Sequence, residues 1–64
     1  MGMIFLVRNM QTGKLLSSIG PPRLYADNPS GAIRYATKEL AQVDVSDGEK
    51  VVGLAGDVQL YGVS

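Results

Sequence analysis

The run Met3-Ile4-Phe5-Leu6-Val7 constrains this chain more than any other stretch. It is too short for a stable helix and contains β-branched and aromatic residues, so it reads as a strand. Side chains alternate across a strand, which puts Phe5 and Val7 on one side and Ile4 and Leu6 on the other. Both sides are therefore apolar. Such a strand sits centrally in a sheet covered on both faces, or has one face covered by another chain. The choice matters because the chain has 64 residues, enough for one small domain over residues 1–64. A domain of this size buries only about 60% of the surface its unfolded form exposes. Phe5 is the only Phe, the tyrosines are Tyr25, Tyr35 and Tyr61, and there is no Cys and no His. Neither a disulfide nor a Cys/His zinc site can supplement the core, so self-association is the expected aid.

Downstream, Asn9-Met10-Gln11-Thr12-Gly13 reads as a hairpin loop with Gly13 at a left-handed position, and Lys14 to Ile19 as the returning strand. Gly20-Pro21-Pro22 ends it, because proline cannot donate to a ladder. Arg23-Leu24-Tyr25-Ala26 suits a short extended edge. Asp27-Asn28-Pro29-Ser30 is a helix-start signal. Ile33, Ala36, Leu40 and Val43 then fall on one helical stripe, which predicts a helix from about 29 to 42 with those residues turned inward. Asp47-Gly48 signals a turn, Val51 to Leu54 and Val58 to Val63 read as strands, and Ala55-Gly56-Asp57 as the turn between them. The expected fold is α+β, a small antiparallel-rich sheet in ββαββ order with one helix on one face. A second hairpin around Asp47-Gly48, giving three strands after the helix, is the alternative.

The chemistry-bearing residues are sparse. Without His or Cys, the common general bases and thiol nucleophiles are missing, and nothing places a base against Ser17 or Ser18. The stretch Asp44-Val45-Ser46-Asp47-Gly48-Glu49 lacks the ligand spacing of a calcium loop and reads as an acidic turn. The glycines match no phosphate-binding fingerprint. The expectation is a chain with no catalytic residues, no cofactor and no metal. No apolar run reaches the roughly 18 residues of a membrane span, so no membrane contact and a cytoplasmic location are expected.

On the expected helix, Arg34 and Lys38 face outward at i and i+4 with Tyr35 beside them. Tyr and Arg are enriched where proteins touch, so Arg34, Tyr35 and Lys38 are the candidate partner-binding residues. Net charge is zero, yet residues 1–42 carry +3 and residues 43–64 carry −3, halves that can attract each other in a head-to-tail contact or within the monomer. The leading expectation is a non-enzymatic interaction or regulatory module that acts through protein contacts and self-associates. One alternative is a nucleic-acid-binding module that adds Arg8, Lys14 and Arg23 to the basic and aromatic surface. Another is a small structural subunit of a larger complex. Arg8-Asn9, Thr12-Gly13-Lys14 and a helix containing Ala32-Ile33 and Ala36 together resemble the sheet-plus-helix DNA-binding arm of tyrosine recombinases. That resemblance covers residues 4 to 42 and implies a sheet that reads the major groove. Those arms are basic, whereas this chain is neutral.

Overall fold

The computed structural model describes residues 3–55 and 59–62. Strands β1 (Ile4–Asn9), β2 (Leu15–Ser18) and β3 (Leu24–Ala26) precede a single 3-10 turn at Pro29–Gly31 and helix α1 (Lys38–Val43). Strands β4 (Glu49–Ala55) and β5 (Gln59–Gly62) follow. They form one antiparallel sheet in the order β3-β2-β1-β4-β5. This is a small α+β fold, with β3 added where a short extended edge was expected. Two strands follow the helix among the described residues; Asp47-Gly48 forms the turn into β4 and not a further hairpin. The turn expected at Ala55-Gly56-Asp57 involves residues 56–58, which lie outside the described ones.

The doubly apolar first strand is central, as its pattern demands. On one face Leu6 packs with Leu15, Val52 and Leu54, joined by Ile4 and Ala32. On the other Val7 packs with Leu16, Val51 and Ala41 of α1, joined by Phe5, Tyr25, Ile33, Tyr35 and Val45. Leu6, Val7, Leu16, Ala41 and Val51 are fully buried. The second face of β1 is thus covered within the chain, and it no longer calls for a partner molecule. Gly13 has the positive φ expected of it, 77°. Gly20 has φ 67°, and a Cβ there would lie 2.2 Å from the Pro22 carbonyl group, so no other residue fits without moving backbone.

The helix differs most from expectation. It begins at Lys38 instead of 29, and Ile33, Arg34, Tyr35 and Ala36 lie outside it. Strand pairing takes this segment instead. β1 and β2 oppose each other directly at Arg8 and Leu15, then part. Residues 33–35 occupy the gap: Ile33 N–H donates to the Leu16 carbonyl (2.9 Å), while Phe5 and Tyr35 exchange two backbone bonds, each 2.9 Å. These bonds satisfy backbone groups of both strands that would otherwise be buried unpaired. Thr37 is the true helix cap, its hydroxyl accepting from Leu40 N–H at 3.1 Å. Asn28 precedes only the 3-10 turn and makes no side-chain cap bond.

This later start changes the helix's facing. Ala41 is the residue turned to the sheet, while Leu40 is 55% and Val43 80% exposed. The expected inward stripe ending at Leu40 and Val43 is therefore overturned. Leu40→Ala is accordingly expected to change stability by no more than about 0.5 kcal/mol, as exposed substitutions do. Urea unfolding followed by circular dichroism checks this; a loss of about 2 kcal/mol or more would restore a buried Leu40.

Candidate interaction site

The most highly constrained polar group is Glu49, the first residue of β4, whose side chain is only 1% exposed. One carboxylate oxygen accepts from Arg23 Nη2 at 2.8 Å and from Ser46 N–H at 2.9 Å. The other accepts from the Tyr25 hydroxyl. Arg23 Nη2 also donates to the Asp44 carbonyl at 2.8 Å. Burial works against ionisation of Glu49, but the bonds from Tyr25, Ser46 and Arg23 outweigh it and hold its pKa below the usual carboxylate value. Next to this cluster the Tyr35 hydroxyl donates to Asp44 Oδ2. Burial, then that bond, push the Tyr35 phenol far above its ordinary value. The network ties β3, the 33–35 segment and the α1–β4 connection together. All of these groups bond within the cluster, only the Arg23 Nε being buried without an acceptor, so the cluster is a structural tie between elements.

The candidate partner-binding residues divide. Arg34 and Lys38 are exposed. Tyr35 is half-buried, with its side chain packed against the cluster around Val7 and Leu16 and its hydroxyl on Asp44. The three do not form one helical face, because only Lys38 belongs to α1. Replacing Tyr35 by Ala therefore removes packing and a cross-element hydrogen bond as well as any contact surface.

The residues of the nucleic-acid reading are dispersed too. Arg23 is paired with Glu49 on the face that carries α1. Arg8 shares the opposite face with Leu15, its cross-strand neighbour. Lys14 is exposed and lies 3.5 Å from Asp27. The helix that the recombinase resemblance requires around Ala32, Ile33 and Ala36 is absent, those residues being turn and extended backbone.

Two features were not anticipated. Leu40 and Val43, one turn apart, give the outward side of α1 an apolar surface. Glu49 is the inward-facing charge. Its signal was available: in Glu49-Lys50-Val51-Val52, alternation places Glu49 on the same face as Val51. No buried carboxylate is stable alone, so a cationic partner was required.

No protein family model, no curated protein and no solved structure matches this chain.

Proposed function

We propose that the chain is a small non-enzymatic interaction module that associates with a second copy of itself through the outward side of α1. The observation that carries this reading is the exposure of Leu40 and Val43, 55% and 80%, on a helix fixed to the sheet by Ala41. An apolar surface on a rigid element is the usual centre of a protein contact, with charged residues at its rim. Arg34 and Lys38 are exposed close by in sequence and suit that rim, with Glu39 of the same helix as an acidic counterpart. Tyr35, packed against the core cluster that includes Ala41, anchors the segment that leads into α1.

Sedimentation velocity over a micromolar concentration range tests this. Wild type is expected to show a concentration-dependent mass above 6.8 kDa, and Leu40→Lys/Val43→Lys only the monomer with an unchanged circular dichroism spectrum. A monomer at every concentration for wild type would sink the reading. Among the described residues, no helix is long and apolar enough to cross a membrane.

A further inference from the structure

We propose that Asp47 is a site of covalent self-modification, at which its side-chain carboxyl takes over the peptide bond to Gly48 and leaves an isoaspartate in the turn before β4. The site is separate from the α1 surface and does not depend on it.

An Asp or Asn isomerises when the amide nitrogen of the next residue attacks its Cγ. The step needs an unengaged side chain, an unengaged N–H and little bulk on the following residue. Among the described residues the candidates are Asn9, Asp27, Asn28, Asp44 and Asp47. Asn9 Oδ1 accepts from the Gln11 and Thr12 N–H groups, and the Met10 N–H is taken by the Gly48 carbonyl at 2.8 Å. Asn28 precedes Pro29, which has no N–H to attack with. Asp44 Oδ2 accepts from Tyr35, and the Val45 N–H donates to the Gln42 carbonyl. Asp27 lies 3.5 Å from Lys14 and precedes the larger Asn28.

Asp47 meets all three conditions. It is exposed, with exposed Ser46 and Gly48 on either side. Among the described residues its carboxylate makes no ion pair, and neither its carbonyl nor the Gly48 N–H makes a backbone hydrogen bond. The peptide unit between 47 and 48 can therefore rotate without breaking a bond, while the units after it stay tied. Gly48 has φ 80° and open space where a Cβ would be, so it tolerates that rotation.

Rotation brings the Gly48 nitrogen to Asp47 Cγ. The nitrogen loses its proton, the C–N bond forms and the carboxyl hydroxyl leaves, the two departing groups making one water. The five-membered imide is then opened by one water. Addition at Cγ restores aspartate. Addition at the main-chain carbon of Asp47 breaks its bond to nitrogen and leaves a free α-carboxylate there. The product has one more main-chain atom between Ser46 and Glu49. That stretch is bridged by the Glu49 N–H on the Ser46 carbonyl, 3.0 Å, and by the Ser46 N–H on the Glu49 carboxylate, 2.9 Å. The change therefore loosens Glu49, which also holds Arg23 and Tyr25.

The test is incubation of the folded protein for weeks at neutral pH in water enriched in oxygen-18. Isoaspartate is counted with a purified isoaspartyl carboxyl methyltransferase and labelled S-adenosylmethionine, and placed by peptide mapping. Methyl label and oxygen-18 are expected in the peptide that carries Asp47, before any label at Asn9, Asp27 or Asp44. Asp47→Glu should lose the label, since its ring would need six members, and as an exposed change it should keep the stability of wild type. The isolated isoaspartate form should unfold at lower urea than fresh protein, with no such drop in Asp47→Glu aged alongside. No label at Asp47, or label that appears first at another residue, would overturn the site. An isoaspartate form with the urea midpoint of fresh protein would overturn the link to Glu49.

Discussion

Glu49→Ala is expected to leave the protein largely unfolded at neutral pH. Removing one partner of a buried ion pair costs about 3–5 kcal/mol, because the other is left uncompensated. Here the Tyr25 hydroxyl and the Ser46 N–H lose their acceptor together, and the Arg23 guanidinium keeps only the Asp44 carbonyl. The total stability of a 64-residue domain is on the order of 3–10 kcal/mol at ordinary values per residue. Urea unfolding of the variant beside wild type measures the loss; a midpoint equal to wild type would show that the cluster contributes nothing. Arg23→Met/Glu49→Leu should recover much of it, since apolar replacement of both partners removes the desolvation cost along with the attraction.

The same cluster gives a pH signature. The folded-state pKa of Glu49 is depressed below its ordinary value of 4.5. Its contribution is therefore fully present above that value and is lost as pH falls through the lower folded value. Wild type should lose stability on acidification below about pH 4, and Glu49→Gln should show a shallower loss over the same interval. Equal acid slopes in the two proteins would remove Glu49 from the account.

Leu6→Ala is the second large effect, at about 2–5 kcal/mol. Leu6 is fully buried in the middle of the central strand, against Leu15, Val52 and Leu54. Truncation leaves a cavity that strands on both sides restrain from collapsing. Because this burial lies within one molecule, Leu6→Lys should unfold the chain, not merely shift it towards monomer. The contrast with the near-neutral Leu40→Ala is the informative measurement. Both are leucines in an apolar pattern, and equal costs for the two would mean that the helix faces the other way.

The difference between those leucines also marks what was legible from residue order. Period-two patterns were readable because each side of a central strand must be apolar, whatever its neighbours are. β1, the Gly13 turn and the strands after the helix came from such local rules. The segment 29–37 did not. Its apolar spacing fits a helix, and Asp27-Asn28-Pro29 is a sound start signal. Yet Phe5 and Leu16 offer it backbone partners from far away in sequence, and those bonds outweigh local propensity. The candidate patch failed as a helical face for the same reason, since its geometry rested on that helix. The Arg23–Glu49 pair was half visible: an inward acid could be inferred from alternation, but not which of several cations reaches it.

The insertion of residues 33–35 between β1 and β2 bears on the order of assembly. The first hairpin is closed at its turn by the Asn9 and Lys14 bonds, but direct strand pairing goes no further than Arg8 and Leu15, and the rest of that edge of β1 waits for the later segment. Meanwhile the full ladder of β1 is with β4, from Ile4 against Leu54 to Asn9 against Glu49. Neither β4 nor the 33–35 segment is local to β1. A large loop must close before the central strand gains its hydrogen bonds, and such non-local topologies fold slowly for their size. The first two strands alone therefore form only the turn end of the sheet. A nascent chain that ends before residue 55 holds an apolar strand with one long edge still open.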